Sequence, residues 1–313
     1  MSSTYEHDQT LPPIVTAVQA EHSITNVTPF TAGHTGALLY RCTREDGTAG
    51  VLKAGIDEGS RAEVQANVYG YESIAASGGG GLLPDGMVFG ARQDGSYILM
   101  PYLGQNFVEA ARAGQAGLYR SLLDAVTDVA GATLRDEADA QAKGLHEFRK
   151  QVVRWYRELY ARGMVGSAAV EQATLLPADA LASDKASLML LDFTPDNLFV
   201  ESENDKVTFI DPWRQATYLG SLIPALSQFA TLAADVYNLP GAAESQQLFA
   251  ECADSVGKQL GLTEAQVRKQ ELLGRCLQFA LSGYVRIDTD HERAADYVGR
   301  SLAYINQLTE DNR

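Results

Sequence analysis

Cysteine is scarce in this chain of 313 residues: Cys42, Cys252 and Cys276 are odd in number and far apart. None forms a C-x-x-C pair, so the sequence offers neither a disulfide framework nor a zinc site. All three are expected to pack as small apolar side chains. Long apolar runs are missing too. No stretch approaches the roughly 18 residues that a membrane span requires. Met1 to Thr10 has neither the basic segment nor the apolar core of a secretory signal, and a cytoplasmic location is expected. Positive charge is in deficit, with 25 basic against 40 acidic residues and a net charge of −15. A field of that sign repels phosphate backbones and argues against nucleic-acid binding, while it would draw in a cationic partner. It equally serves to keep a globular chain in solution.

What remains is an ordinary globular composition, 45% hydrophobic and 21% charged, in a chain long enough for two lobes around a cleft. The first hundred residues read mainly as strands and turns. Ile24 to Phe30, Ala37 to Thr43 and Ala49 to Ala54 are β-type runs, the last two joined by a turn at Asp46-Gly47. Ser60 with Glu63 three residues on has capping-box spacing, which predicts a helix that ends before Gly78 to Gly81. A further hairpin is expected around Asp94-Gly95. Beyond residue 104 the pattern is mostly helical. Phe148, Val152, Trp155, Tyr156 and Leu159 predict a long amphipathic helix before Gly163, and residues 164–186 are read as a short inserted helix. Leu188 to Leu191, Leu198 to Glu201 and Val207 to Ile210 are short apolar runs before a helical tail.

The segment Leu190 to Asp211 reads L-L-D-F-T-P-D-N-L-F-V-E-S-E-N-D-K-V-T-F-I-D. Asp192 is followed five residues later by Asn197, and Asp211 closes an apolar run fourteen residues further on. Taken alone, Asp192, Thr194 and Asp196 also suit a turn around Pro195. The whole pattern resembles the catalytic and metal-binding loops of the aminoglycoside-phosphotransferase-like small-molecule kinases, whose usual form is His-Gly-Asp-x-x-Pro-x-Asn followed by Ile-Asp. That resemblance implies an α+β, bilobal protein-kinase-like fold. Residues 1–103 would form a small β-rich lobe and residues 104–313 a larger helical lobe, with ATP and Mg²⁺ bound between them.

The resemblance assigns roles residue by residue. Asp192 would orient the acceptor hydroxyl and take its proton, and Asn197 and Asp211 would supply hard oxygen ligands for Mg²⁺. Lys53, in the apolar strand V-L-K, stands where the family places the lysine that binds the α- and β-phosphates. Glu63 would pair with it, or cap its own helix, with Glu72 as the alternative partner. The loop Thr31 to Gly36 would cover the nucleotide, the backbones of Gly33, His34, Thr35 and Gly36 approaching phosphate oxygens. The run Tyr97 to Gly104 resembles the hinge, where backbone groups near Met100 and Tyr102 would bind the adenine edge.

Three departures stand out. Leu190-Leu191 replaces His-Gly, Asp196 replaces the usual small residue before the asparagine, and the aspartate expected in the helix after Asp211 is absent. Asp196 is read as a spectator or a substrate contact, and Arg214 as a phosphate or substrate contact or one half of a structural salt bridge. Trp155, Trp213, His7, His22, His146 and His291 show no ligand spacing and are read as packing or surface residues. The function implied is ATP- and Mg²⁺-dependent O-phosphotransfer to a hydroxyl of a small molecule, an antibiotic or natural product. Two alternatives stay open: a kinase for Ser or Thr of a precursor peptide in ribosomal-peptide biosynthesis, and a pseudokinase that binds nucleotide without turnover.

Overall fold

A computed structural model describes residues 11–30, 36–137, 139–176, 181–200, 206–212 and 217–310. By internal contacts the chain divides into two compact units, one of Met1–Gly70 with Pro84–Tyr102, the other of Tyr71–Leu83 with Leu103–Arg313. Residues 71–83 group with the larger unit, which resumes at Leu103.

The smaller unit is built on a five-stranded antiparallel sheet of β1 (Thr25–Pro29), β2 (Leu38–Thr43), β3 (Ala49–Gly55), β4 (Val88–Arg92) and β5 (Gly95–Pro101), in the order β1-β2-β3-β5-β4. Successive strand residues face opposite sides. Tyr40, Cys42, Leu52, Ala54, Tyr97 and Leu99 therefore share one face, and they form a core with Ile14, Val15 and Val18 of helix α1 (Pro13–Glu21). The strand-rich reading of this region misses α1. Its signal is Pro13 at the first helical turn, where a missing N–H costs nothing, followed by an apolar stripe.

The opposite face meets helix α2 (Glu58–Ala76), which carries Glu63 and Asn67 toward Lys53 and sends the Gln65 amide to Ser96 at 3.3 Å. Ser60 is not the cap that its spacing predicts. The helix begins three residues before Arg61, and Asp57 accepts the Ser60 N–H at 2.9 Å while the Ser60 hydroxyl receives the Ile56 and Asp57 N–H groups. Glu63 is thus released from capping.

The larger unit is mainly helical: α3 (Phe107–Arg112), α4 (Leu118–Ala132), α5 (Ala140–Ala161), α6 (Ser167–Thr174), α7 (Ile223–Thr231), α8 (Gln246–Leu260), α9 (Glu264–Arg286) and α10 (His291–Glu310). Among them lie a three-stranded sheet of β6 (Arg135–Asp136), β7 (Lys185–Leu190) and β10 (Thr217–Gly220), and the hairpin of β8 (Leu198–Val200) and β9 (Val207–Phe209). The α5 stripe runs as its periodicity predicts, with Leu145, Phe148, Val152, Tyr156 and Leu159 buried in the core beside Leu273, Cys276 and Leu277 of α9. Tyr156 and Ser301 share a hydrogen bond of 2.8 Å, and the Ser301 hydroxyl also donates to the Cys276 carbonyl at 2.8 Å, so these interior polar atoms are satisfied. All three cysteines are buried and free, as expected. Among the described residues no helix is long and apolar enough to cross a membrane.

Helix α7 explains the missing aspartate in physical terms. All nine of its residues are buried, so a carboxylate there would carry a desolvation cost. It lies so close to α9 that a Cβ on Gly274 would meet the Pro224 carbonyl oxygen at 2.1 Å. Gly274→Ala is therefore expected to destabilise the protein by about 2–3 kcal/mol through overpacking, read as a lower urea midpoint with little change in the denaturant slope.

Candidate active site

In the smaller unit, β3 points Lys53 into the layer under α2, where the side chain is 4% exposed. Its ammonium sits 2.9 Å from Glu63 Oε1 and donates to Asn67 Oδ1 at 2.9 Å. Glu63 and Asn67 stand one helical turn apart, so a single face of α2 holds the charge from two positions. A buried ammonium without such partners would give up its proton. Asn67 escapes a sequence reading that looks only for the acidic partner, although its spacing of four from Glu63 is the available signal. Glu72, the alternative partner, is exposed.

In the larger unit, β7 leads directly into the turn that carries Asp192. Leu190 and Leu191, the replacements for His-Gly, are both buried, and Leu191 lies in the same core as Tyr156 and Leu145. Phe193 anchors the turn from beneath, its ring 6.0 Å from Phe209 and 5.7 Å from Phe229. The chain then closes on itself. Thr194 N–H donates to the Asp192 carbonyl at 3.0 Å, and Asn197 N–H to the Thr194 carbonyl at 3.1 Å, through a 3₁₀ turn at Pro195–Asn197. The Asn197 amide donates to Asp192 Oδ2 at 3.2 Å, and the Asn197 carbonyl accepts the Ile210 N–H at 2.9 Å. The segment forms the turn around Pro195 that the alternative reading described.

Asp211 follows β9 with φ at 54°, a left-handed conformation that costs an L-residue about 1–2 kcal/mol. Its N–H donates to the buried Tyr71 hydroxyl at 3.1 Å, which fixes the peptide in place. Asp192, Asn197 and Asp211 come together within this unit, close enough for Asp211 to act electrostatically on Asp192. Burial first, and the Asp211 charge second, push the Asp192 carboxyl up to about 6 against the pull of the Asn197 hydrogen bond, with a smaller contribution from Asp196. Asp196 is exposed and accepts a short hydrogen bond from the Tyr237 hydroxyl, a contact that nothing in the sequence announces.

Hard oxygen donors crowded with like charge are what a small divalent cation relieves, and Asn197 and Asp211 fit Mg²⁺, which needs few protein ligands and keeps several waters. Among the described residues no group of three or more His, Cys, Asp or Glu forms a metal cluster, which sets this donor set apart from a closed structural site.

No protein-family profile matches the chain, and no curated protein sequence matches it. Solved structures do. A protein of Haemophilus somnus 129PT assigned as a fructosamine-3-kinase superposes with a TM-score of 0.60 at 13% identity, over 94% of this chain and 96% of its own. A macrolide 2′-phosphotransferase of Brachybacterium faecium gives 0.56 at 14% identity, over 95% and 98%. A spectinomycin phosphotransferase, solved with ADP and spectinomycin, gives 0.52 at 12% identity, over 95% and 97%. The fold is that of the aminoglycoside-phosphotransferase-like kinases.

On that kinase-like fold the remaining expected residues separate clearly. Gly33, His34, Thr35 and Arg214, with Trp213, lie outside the described residues, and Gly36 stands just before β2. Tyr102 N–H donates to the Ala49 carbonyl at 2.9 Å, and the two-residue alternation of an antiparallel ladder turns the Met100 backbone toward β3 as well. By the same alternation the Pro101 carbonyl is turned away from β3. The Tyr102 ring packs edge-on to Phe30 and lies under the Arg41 guanidinium, 4.4 Å from its centroid. Trp155 packs on Tyr284 with ring centroids 5.0 Å apart, and the His22 ring hydrogen-bonds the Tyr97 hydroxyl at 2.9 Å, consistent with packing roles.

The raised Asp192 value has a sign that can be checked. An exposed aspartate titrates near 3.9, so the folded protein holds a proton that the unfolded chain has lost between about pH 4 and pH 6. The carboxylate's cost is absent below that window and fully present above it. In metal-free buffer, Asp192→Asn is expected to raise stability at pH 7 by about 2 kcal/mol and to change it little at pH 4. Paired urea titrations of the two proteins across this range read the difference directly.

Proposed function

We propose that the chain is a phosphotransferase that uses ATP and Mg²⁺ to phosphorylate a hydroxyl group of a small molecule. The observation that carries this reading is the closed turn in which Asn197 holds the Asp192 carboxylate beside Asp211. The kinase-like fold and the buried Lys53–Glu63 pair support it, and the ADP complex of the spectinomycin phosphotransferase supports a nucleotide donor.

Each residue has work suited to its chemistry. Lys53 presents a fixed positive charge to the α- and β-phosphates, kept in position by Glu63 and Asn67. The Gly33 to Gly36 loop would add backbone N–H donors, and Arg214 a guanidinium toward the transferring phosphoryl group. Asn197 and Asp211 would hold Mg²⁺, which when bound supplies charge neutralisation to the phosphoryl oxygens. Asp192 would align the acceptor hydroxyl and accept its proton as the hydroxyl oxygen bonds to the γ-phosphorus and the bond to the β,γ-bridging oxygen breaks, releasing ADP. Its carboxylate is oriented for this by the Asn197 amide, while Tyr71 fixes the backbone of Asp211. Positioning and electrostatics of this kind make up most of catalysis in phosphoryl transfer. Retention of all four residues, Lys53, Asp192, Asn197 and Asp211, in the sequence also argues against a nucleotide-binding module without turnover.

Transfer of labelled γ-phosphate to a panel of hydroxyl compounds tests the proposal. Wild-type protein is expected to label at least one acceptor, with activity lost in EDTA. Asp192→Asn and Asp211→Asn should each reduce the rate by about 10²-fold or more while nucleotide binding to Asp192→Asn persists. Equal turnover by wild type and Asp192→Asn would sink the mechanism. Nucleotide binding with no transfer to any small molecule, but with labelling of a serine or threonine peptide, would move the acceptor to the peptide class.

A further inference from the structure

The acidic surplus of the chain is not spread evenly over the larger unit. Beside the catalytic turn, Tyr237 follows a π-helical turn at Leu232–Val236 and gives its hydroxyl to Asp196. π-Turns of this kind occur often at functional sites. Tyr237 packs on an apolar cluster of Leu232, Val236, Phe279 and Tyr297. Two guanidinium groups flank Tyr297 in that cluster: Arg286, from the last turn of α9, has its Cζ 5.3 Å from the ring centroid, and Arg293 of α10 lies at 5.6 Å. Arg293 Nε also donates to the Tyr297 hydroxyl at 2.9 Å, and that hydroxyl donates on to the Asp235 carbonyl at 3.1 Å.

Neither guanidinium has a carboxylate partner among the described residues. Three other arginines of the same unit do: Arg300 with Asp235 at 2.9 Å, Arg162 with Asp288 at 3.1 Å and Arg268 with Glu271 at 2.9 Å. The carboxylates near the pair are already committed. Asp235 is held by Arg300, Asp288 by Arg162 and Asp196 by Tyr237, while Asp290 Oδ1 accepts the backbone N–H of Arg293. In a chain with fifteen more acidic than basic residues, two arginines held by one aromatic ring and left without acids are a deliberate arrangement of charge. Arg293 spends its Nε on the Tyr297 hydroxyl and Arg286 makes a long Nη1 contact of 3.5 Å to the Ser282 carbonyl, and the remaining N–H donors of the two forks match the oxygens of a carboxylate or phosphate. The field of Arg286 reaches the Tyr237 phenol, where it opposes the upward push from burial and from Asp196. The pair is thereby linked through Tyr237 and Asp196 to the turn that carries Asp192.

We infer that Arg286 and Arg293 form a subsite for an anionic group, a carboxylate or phosphate, carried by the acceptor. This rests on the phosphotransferase reading above and narrows its substrate class: a hydroxyl compound with a negative group, rather than the cationic acceptor that net charge alone suggests. Within that subsite the two guanidinium edges bind the anion, and the acceptor hydroxyl extends past Tyr237 toward Asp192.

Calorimetric titration of the full chain at low ionic strength, with Mg²⁺ and a non-hydrolysable ATP analogue present, uses succinate and inorganic phosphate as probes. Arg286→Met and Arg293→Met should each weaken binding by about tenfold or more, and Arg286→Lys should keep part of it. Arg154→Met, which removes an arginine stacked on Trp155 elsewhere in the unit, should bind like wild type. Tighter binding of succinate assigns a carboxylate, and tighter binding of phosphate a phosphate. Binding that survives in the double variant Arg286→Met/Arg293→Met, or no heat with either probe at millimolar concentration, overturns the subsite. A second measurement compares glycerate with glycerol as acceptors. Preference for glycerate that falls in the double variant through a higher KM places the anion on the acceptor, and equal use of both by wild type overturns that assignment. Anion binding that depends on both arginines without phosphotransfer to either compound would leave the subsite standing while the phosphotransferase reading fails.

Discussion

Asn197 ties the turn of Asp192 together from three directions at once. Its N–H closes the turn onto Thr194, its carbonyl receives the N–H of Ile210 between β9 and Asp211, and its amide reaches back to the carboxylate of Asp192. Without those three bonds the two aspartates would sit on separate loops with no fixed relation. The anchor for the assembly is apolar: Phe193 is sunk among Phe209 and Phe229, and the latter ring is 5.0 Å from Phe107. Hydrogen bonds set the geometry of the turn, and aromatic burial holds it against the rest of the unit.

Electrostatic strain is accepted at this place and relieved elsewhere. Asp192 is pushed toward its neutral form by burial and by Asp211, and Asp211 itself adopts a left-handed backbone. Such costs accumulate where function requires a poised arrangement. Around Lys53 the opposite policy holds, since a nearly inaccessible ammonium is matched by Glu63 and Asn67 together. A buried ion pair contributes little net stability, but removing one member leaves a charge that the interior cannot solvate. The pair therefore serves position more than stability.

Charge in the larger unit is also arranged locally rather than on average. The −15 of the whole chain describes its outer field, whereas Arg286 and Arg293 lie against the Tyr297 ring beside Tyr237 with no ion-pair partner among the described residues. Net charge is a statement about long-range attraction, and a screened field of that kind fades over about 10 Å at moderate salt. Recognition at contact depends on the few groups within that distance.

Much of this was legible in the primary structure. The spacing of Asp192, Asn197 and Asp211, the strand setting of Lys53 and the helix carrying Glu63 are local properties, because turn chemistry and periodicity act over a few residues. The strands of the smaller unit and the long α5 stripe followed from the same local rules, whereas the segment that holds α6 carried little readable periodicity. Other features were decided only in three dimensions. Whether Ser60 or Asp57 caps α2 depended on two hydrogen bonds of similar plausibility, and the outcome freed Glu63 for Lys53. Which backbone groups of the Met100 to Tyr102 segment remain for a ligand depended on strand register. Tyr71 reaches Asp211 across 140 positions of sequence, and Tyr237 reaches Asp196 across 41. No local pattern marks such partners, because their meeting is fixed by how helices pack. The sequence by itself determined the chemistry this chain can carry, since reactive groups come in short spaced motifs. Only the tertiary structure decided which distant side chains hold those groups and what charge surrounds them.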